Sequence, residues 1–436
     1  MKAARRDDVD DDDHRLRKRM TRSIIEPAGT ETHGDGKQID YIPVWLLSEL
    51  LCRLSVKDVF RFNCVSKQWN LCISDPSFRN LFLSRRASGL RCPLVFFHSK
   101  VQLVDEEDPK PYLTRPERLE TENIPQIRKL TLPSLRERSV DGTFSIRAAD
   151  KGFLLLEREE RFFAKYNVEF YICNAVTKQW FTLPSHRFFT TEFNVGFVTQ
   201  IESGVLTGYK VVVVRCGCLV ELDVQMFSSE TGRWENFKVP CEEGSFGFPH
   251  CQRPVVVNNT VCWMVRVGER GGILAYDPYA SPDNPNRFRL IDCPIDMDDM
   301  GFRISSETDV HQGRLKYFAL SFDINLRSYA LKIWELTDTY QWRLQHALRT
   351  GDVDDSCHAV LLQSRMLFIS FHPYDPDVLF LFCVMRKRLV SYNMKTRRME
   401  SLSDWSCEFN TGGATGFFQM LPIWPISVPS SLMFGC

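Results

Sequence analysis

Two hydrophobic patterns follow each other along the chain. Residues 40–84 carry apolar residues at helical spacing, beginning with the leucine-rich stretch that follows Pro43. Proline suits the first position of a helix, because an amide N–H at that position would have no hydrogen-bond acceptor within the helix. Ser55–Asp58 has the form of a capping box, and Asp75-Pro76 is a typical helix start. The pattern therefore predicts three or four short helices in this segment.

From residue 92 onward, short apolar runs rich in Val, Phe and Tyr alternate with turn residues. The runs 212–215 and 254–265 are examples, and Asn258-Asn259 interrupts the second one. Asparagine tolerates the left-handed backbone of a tight turn, so this pair predicts a hairpin. Little of this region has a helical period, and we expect it to be all β.

The β region also repeats. Gly-Phe occurs at 196–197, 247–248, 301–302 and 416–417. A second series of landmarks consists of an aromatic residue or methionine that follows a polar turn. Its members Trp180, Trp234, Phe288 and Trp342 are each 54 residues apart, and Met399 follows 57 residues later. Two independent landmarks with one period of about 50 residues indicate a β-propeller, and the alternative is a β-sandwich with coincidental spacing.

The number of blades is predicted from the units that can be traced. Five units begin near residues 144, 197, 248, 302 and 358. A strand within 417–428 has no partner of its own, and the strands within 93–128 lack a first one. Together these pieces would complete a sixth blade and close the ring, which removes open sheet edges. We therefore predict six blades, with five or seven as the alternatives.

Length and charge exclude several classes of protein. With 436 residues the chain is too long for one ordinary core. Lys plus Arg and Asp plus Glu number 55 each. A dedicated binder of nucleic acid or of an anionic membrane takes its affinity from a basic face, so neither partner is predicted. Residues 1–38 are polar and nearly free of aromatics, and we expect a disordered tail there.

The N-terminal segment and the cysteines bear on location. Asp10–Asp13 precede Arg15, Arg17, Lys18 and Arg19, a cluster that is either a nuclear-import signal or a solvated segment. No secretory signal and no membrane-spanning run is apparent. The 15 cysteines include no C-x-x-C pair, which is typical of reduced thiols in an intracellular protein, and the nine histidines show no zinc-site spacing. We expect no metal or cofactor, and a location in the cytoplasm, the nucleus or both.

Sequence motifs for catalysis are not found. The chain has no G-x-S-x-G, Walker glycine loop or Rossmann fingerprint. The acidic clusters 105–108 and 298–299 are typical of solvated turns rather than of acid/base pairs. A propeller hydrolase is the main enzyme alternative, and it requires carboxylates or histidines near the channel. A DNA-binding helix-turn-helix at 56–73 is disfavoured, because Phe62, Val65 and Trp69 are poor readers of bases.

The helical segment carries more large apolar side chains than about 45 residues can bury alone. A closed propeller offers it no obvious groove, so part of its surface is expected to face a partner. Residues 42–83 resemble an F-box. The shared features are the Ile42-Pro43 start, the leucine-rich first helix and the segments 53–54, 56–58, 61–62, 64–69 and 74–78.

The remainder of the chain resembles the F-box-associated, kelch-like repeat region of plant F-box proteins. The likeness is more diverged and rests on GFLLL at 152–156, CNAVTKQWFTLP, HQGRLKYFAL and HPYDPDVLFL. The resemblance implies an α+β multidomain protein. We expect a tail at 1–38, a three-helix F-box at 39–85 and a kelch-like β-propeller at 86–436.

Proteins of this family are substrate receptors of SCF-type ubiquitin ligases. The resemblance implies a non-catalytic subunit whose F-box docks on a Skp-type adaptor, and through it on a cullin, while the propeller recruits a target protein. A scaffold acting outside a ligase is the alternative. Adaptor contact is implied for Pro43, Leu46, Leu47, Leu50, Leu54, Val65 and Trp69. Leu47, Val59, Phe60 and Trp69 are equally well explained as the domain's own core. The chain departs from many F-boxes at Val44-Trp45, where acidic residues are common.

The target-binding side is predicted from loop chemistry. Propellers bind through loops between strands. The candidates are the aromatic or charged loop residues His186, Arg187, Phe188, Phe189, Phe246, His250, Met300 and Arg303. The Gly-Phe phenylalanines Phe197, Phe248 and Phe302 are expected in the blade core instead.

Overall fold

The structure is a computed structural model that divides into two compact units, residues 1–90 and 91–436. The residues that it describes are 42–54, 56–75, 77–79, 81–82, 95–104, 126–133, 143–159, 167–174, 180–187, 193–202, 204–216, 221–240, 246–247, 253–268, 270–281, 284, 287–294, 302–323, 328–349, 366–372, 375–384, 386–404, 417–420 and 428–432. The predicted N-terminal tail lies outside these ranges.

The described part of the first unit contains three short helices and a further helical segment, within the predicted three or four helices. Helix α1 is Val44–Leu51, α2 is Val56–Arg61, a 3-10 turn covers Phe62–Cys64, and α3 is Lys67–Ser74. Residues 77–79 and 81–82 are also helical.

The helix starts are set by caps. Pro43 lies one position before α1 rather than inside it, because its ψ of 138° is extended. The Ser66 hydroxyl accepts a hydrogen bond from the Trp69 amide at 3.3 Å, which caps α3. The Asp75 carboxylate accepts one from the Ser77 amide at 2.7 Å, as the predicted Asp-Pro start requires.

The second unit is all β and contains 25 strands in its described part. The first sheet has the order β2-β1-β3-β4-β5-β6, with β25 on β1 and β7 on β5. Its strands are β1 (Val95–Val104), β2 (Gln126–Pro133), β3 (Thr143–Asp150), β4 (Phe153–Glu159), β5 (Asn167–Asn174), β6 (Trp180–Thr182), β7 (His186–Arg187) and, from the C-terminal end, β25 (Phe417–Met420).

The second and third sheets follow along the chain. The second has the order β11-β10-β9-β8, and the third has β12-β14-β15-β16 with β13 on β14. Their strands are β8 (Asn194–Glu202), β9 (Val205–Cys216), β10 (Glu221–Ser228), β11 (Arg233–Pro240), β12 (Phe246–Gly247), β13 (Val255–Val257), β14 (Thr260–Val267), β15 (Arg270–Tyr276) and β16 (Phe288–Asp292).

The fourth and fifth sheets each have four antiparallel strands in chain order. The strands are β17 (Phe302–His311), β18 (Arg314–Asp323), β19 (Ser328–Leu336), β20 (Trp342–Arg349), β21 (Met366–Phe371), β22 (Val378–Cys383), β23 (Arg388–Asn393) and β24 (Arg398–Asp404).

The sheets are the blades of a β-propeller. Around its centre, β3 contacts β8, β8 contacts β13, β13 contacts β17, β17 contacts β21, β21 contacts β25 and β25 contacts β3. These strands therefore form a closed ring, in which β3 lies inside its sheet and the other strands lie at a sheet edge. Buried apolar clusters fill the spaces between successive sheets, with Phe227, Trp263, Tyr317 and Tyr392 among their large members.

The described residues form five sheets, which agrees with the predicted β-propeller of about six blades, for which five was one of the alternatives. The predicted pairing itself is present, because Val95–His98 of β1 pairs with β25. The same strand also pairs with β3 through Lys100 and Val101. Since β1 divides its hydrogen bonds between β25 and β3, the strands expected to form a sixth blade extend the first sheet instead.

The aromatic landmarks of the repeat lie in the last strand of successive sheets. The indole N–H of Trp234 donates to the Pro184 carbonyl oxygen at 3.0 Å. The indole N–H of Trp342 donates to the Asp292 carbonyl oxygen at 2.7 Å. Both bonds join an outer strand to the sheet before it. The sequence period therefore reflects a repeated link between neighbouring blades.

The Gly-Phe landmark marks a close approach of strands. A Cβ on Gly196 would lie 2.6 Å from Val261 and 2.7 Å from Trp263 in the next sheet. Phe197 is fully buried, as predicted for the blade core. The predicted hairpin is also present, because Asn258 and Asn259 have φ of 49° and 64° between β13 and β14.

Candidate docking surface

Helix α1 has one buried face and one exposed apolar face. Leu47, Ser48 and Leu51 are buried. Trp45, Leu46 and Leu50 are 57%, 38% and 47% exposed, respectively. At about 100° per residue the exposed side chains fall on the side opposite the buried ones. Exposed apolar groups on a helix in water are unfavourable unless a partner covers them.

Helix α3 holds α1 in place through its polar groups. The Gln68 side-chain amide donates to the Ile42 carbonyl oxygen at 2.5 Å. The buried Ser48 hydroxyl donates to the Val44 carbonyl oxygen at 2.8 Å and lies 3.4 Å from the Cys72 sulfur. Burial raises the pKa of the Cys72 thiol, so it stays protonated at neutral pH. These contacts fix which face of α1 points to solvent.

Two further apolar side chains are exposed near α3. Val65 is 56% exposed and Leu71 is 72% exposed. We call Trp45, Leu46, Leu50, Val65 and Leu71 the apolar surface. Among the described residues only seven large apolar side chains are exposed, and these are five of them. Of the exposed large apolar side chains that the structure describes, most therefore lie in the helical unit.

The residues for which adaptor contact was predicted differ in their exposure to solvent. Pro43, Leu46, Leu50 and Val65 are exposed, whereas Leu54 and Trp69 are partly exposed. The Trp69 ring lies 5.0 Å from that of Phe62, so part of it packs within the unit. Leu47 has no exposed surface and therefore fits the alternative, a place in the core. The Val59 side chain is also fully buried, and Phe60 lies outside the described side chains.

Sequence reasoning did not assign two residues of the apolar surface to adaptor contact. Trp45 stands where many F-boxes have acidic residues, and an apolar group there either strengthens docking or changes which adaptor is preferred. Leu71 lies beside the buried Cys72 and Ile73 but outside their face of the helix. The signal for Leu71 is an apolar residue out of phase with its neighbours, which becomes readable only when the bounds of α3 are known.

The structure describes only some of the residues that were predicted to bind a target. His186 and Arg187 form β7, Phe246 lies in β12 and Arg303 in β17, and for these the backbone alone is described. Phe188, Phe189, His250 and Met300 lie outside the described residues. Their role stays a prediction.

One ionisable cluster lies near the centre of the propeller. The Arg253 guanidinium lies 3.5 Å from the Asp309 carboxylate and donates to the Ile369 carbonyl oxygen at 2.6 Å. The same carboxylate accepts from the Phe371 amide at 3.0 Å. These contacts join the third, fourth and fifth sheets, so the cluster has a structural explanation.

The charge of this cluster depends on pH. Burial raises the pKa of Glu307 to about 7, with Arg253 opposing the shift and Asp309 adding to it. Burial lowers the pKa of His311 and of His372.

The described part of the chain contains no group of three or more His, Cys, Asp or Glu that could hold a metal ion. Its helices also include none that is long and apolar enough to cross a membrane.

Comparison with known proteins gives two family matches. The F-box domain matches residues 43–81. The family described as F-box protein At3g26010-like, beta-propeller, matches residues 121–417. The first match contains the whole apolar surface, and the second contains most of the described strands.

Individual relatives agree with these matches. F-box protein At3g26010 of Arabidopsis thaliana is 24% identical over 367 residues, which cover 81% of this chain and 77% of that protein. F-box protein At1g47340 of the same plant is 52% identical over 48 residues, or 11% of this chain and 10% of that one. Among solved structures, one from a nidogen/laminin complex is 8% identical with a TM-score of 0.32, covering 64% and 83% of the two chains, and this weak likeness carries no argument. Because the matched propeller spans more than half of the sequence, the chain belongs to the F-box protein At3g26010-like, beta-propeller, family and carries an F-box domain ahead of that propeller.

Proposed function

We propose that this protein is a substrate-recognition subunit of an SCF-type ubiquitin ligase. Its F-box docks on a Skp-type adaptor and through it on a cullin, and its propeller recruits a target protein. The observation that carries this proposal is the apolar surface, since five of the seven large apolar side chains that are exposed in the described part of the chain lie within the F-box. Fixed aromatic and aliphatic side chains on a helix face are the usual anchors of a helix-mediated interface.

The chain's own chemistry in this role is binding and positioning. Holding a target near a ubiquitin-charged enzyme raises the effective concentration of the target's lysines, and no catalytic group of the F-box protein is required. The family names F-box and beta-propeller support such an adaptor role. The period of about 50 residues also supports a relation to kelch repeats. The cysteine usage supports action in the cytoplasm, the nucleus or both.

The first experiment is a binding assay with the full chain. Purified protein is mixed with a Skp-type adaptor, and the complex is detected by gel filtration and calorimetry. Leu50→Asp places a carboxylate in the apolar surface and is expected to abolish the complex, because burying an unpaired charge is costly. Lys387→Asp, in the turn before β23, is the matched control and should bind as the wild type does.

Ligase function needs a second readout. The full chain, adaptor, cullin and RING subunit should form one complex that elutes together. Adaptor binding without cullin recruitment would favour the scaffold alternative. Failure of the folded wild-type chain to bind any Skp-type adaptor would refute the proposal.

A further inference from the structure

The apolar surface of the F-box is bordered by two exposed cations. Arg53 lies in the turn after α1, and Lys67 is the first residue of α3. Within the part of the chain that the structure describes, neither side chain forms an ion pair or a hydrogen bond. Apolar contact with an adaptor, taken alone, gives these two charges no role.

Each cation stands beside a member of the apolar surface. The Arg53 amide donates to the Leu50 carbonyl oxygen at 3.1 Å, and this bond closes a turn that keeps the two residues together. Lys67 precedes Leu71 by four residues in α3, and side chains at that spacing are neighbours on a helix. Lys67 also follows the exposed Val65 by two residues. The cations therefore flank exposed apolar side chains of both helices.

The acidic side chains that the structure describes in this unit are already engaged. The Asp58 carboxylate lies 3.4 Å from the Arg61 guanidinium. The Asp75 carboxylate accepts from the Ser77 amide at 2.7 Å. Glu49 is partly buried and also interacts within the chain. The charges that these helices leave without a partner beside the apolar surface are therefore cations.

Cations at the edge of an apolar surface affect which partner can cover it. A partner that buries the leucines brings Arg53 and Lys67 to the rim of the interface, where part of their hydration is lost. A carboxylate of the partner opposite each cation offsets that loss, whereas a basic partner is repelled. Both side chains are long enough to reach such carboxylates while their charged ends stay in water.

We infer that the adaptor's docking groove is apolar at its centre and bears acidic side chains at its rim, opposite Arg53 and Lys67. We call these two residues the basic rim. The basic rim discriminates between Skp-type adaptors and accelerates association, because complementary charges steer the encounter. The apolar surface supplies most of the affinity, since exposed ion pairs add little. The inference rests on the proposed function, in which the F-box docks on such an adaptor.

An anionic membrane is the other partner that suits a mixture of apolar and basic side chains. A helix that lies in a membrane interface carries its cations on the face opposite its apolar side chains. In α3, Lys67 and the exposed Leu71 lie on the same face. This arrangement favours a protein groove with an acidic rim over a lipid surface.

The test measures association and dissociation rates of the full chain with a Skp-type adaptor at several salt concentrations. Arg53→Glu combined with Lys67→Glu reverses both charges of the basic rim. We expect this double variant to associate at least about tenfold more slowly at low salt, with a smaller change in the dissociation rate. The difference should shrink to less than about twofold at about 1 M salt, where the screening length is only about 3 Å.

Two features keep this test from reporting a loss of folding. Lys67→Glu places an acid in the first turn of α3, where the helix dipole favours it, and Arg53 is exposed, so the fold is retained. A second double variant, Arg53→Lys with Lys67→Arg, keeps both charges. It should associate at the wild-type rate, and slow association of this variant would overturn the inference.

A matched control changes the net charge equally on the propeller. Lys395, in the turn between β23 and β24, and Arg398, the first residue of β24, are both exposed. Lys395→Glu combined with Arg398→Glu should stay within about twofold of the wild-type association rate. Equal slowing by the two charge-reversed variants would overturn the inference, because net charge would then explain the effect. Displacement of the adaptor by phosphatidylserine vesicles would also overturn it, in favour of a membrane surface.

The failure of this inference can be distinguished from that of the ligase proposal. A wild type that binds an adaptor at a rate insensitive to salt, and equal to that of the charge-reversed basic rim, refutes the acidic groove alone. Failure of the folded wild type to bind any Skp-type adaptor refutes the ligase proposal and this inference with it. Leu50→Asp should remove binding at every salt concentration, whereas the charge-reversed basic rim should recover at high salt.

Discussion

Leu50 and Leu47 lie three residues apart on α1 and should respond oppositely to the same substitution. Leu47 is fully buried and Leu50 is 47% exposed. Truncating a fully buried leucine to alanine costs about 2–5 kcal/mol of folding free energy. The same truncation at an exposed helix position changes the folding free energy by no more than about 0.5 kcal/mol, since alanine is a good helix former.

For adaptor binding the order of the two substitutions should be reversed, so that Leu50→Ala has the larger effect. Fully burying a leucine side chain is worth about 1.5–3 kcal/mol. Docking can remove only the exposed half of Leu50 from water, so Leu50→Ala should weaken binding by about 1 kcal/mol, or roughly fivefold. Leu50→Asp should exceed about 100-fold, because it adds the desolvation of a carboxylate.

Two measurements on the full chain separate these effects. Calorimetry with a Skp-type adaptor gives the binding free energy, and amide hydrogen exchange within Val44–Leu51 gives the local stability of α1. We expect Leu50→Ala to weaken binding without faster exchange, and Leu47→Ala to accelerate exchange. Wild-type affinity of Leu50→Asp, or equal exchange in the two alanine variants, would show that the two faces of α1 are misassigned.

Three further predictions concern the propeller. Gly196→Ala should lower the melting temperature, at a cost of about 1–3 kcal/mol, because its Cβ would overlap Val261; Gly247→Ala, whose nearest neighbour is 3.9 Å away, should not. Arg253→Met should cost about 3–5 kcal/mol by leaving the Asp309 carboxylate unpaired, and adding Asp309→Asn should recover part of this loss in urea unfolding. The pKa of Glu307 rises from 4.5 to about 7 on folding, so wild-type stability falls as pH rises through that range. The free energy of unfolding of Glu307→Gln should therefore rise relative to that of the wild type between pH 5 and pH 8, by up to about 3 kcal/mol. A difference between the two proteins that stays constant across that range would contradict this prediction.

Features that repeat along the chain were the most predictable. The spacing of Trp180, Trp234, Phe288 and Trp342 identifies an outer strand in four sheets, because each of these residues stands at or next to the start of such a strand. The Asn258-Asn259 turn was predictable because few residues adopt a left-handed backbone.

Features that depend on one pairing were not predictable. The choice between five and six sheets depends on β1, which bonds to both β25 and β3, and a period cannot show how one strand divides its hydrogen bonds. The faces of α1 are set by contacts from Gln68 and Cys72, which lie more than 20 residues away. Helical spacing alone therefore left Leu47 equally consistent with core and with adaptor contact.

The described residues of the two units differ in how much apolar surface they expose. Among the side chains of the propeller that the structure describes, most large apolar ones are buried between sheets, and the ring closes through β25 and β1. Closure of this kind protects strand edges that would otherwise pair with other chains. The F-box instead leaves five large apolar side chains in water while its polar contacts hold α1 and α3 together. An exposed apolar surface that is held in place by polar contacts is expected where a partner covers it.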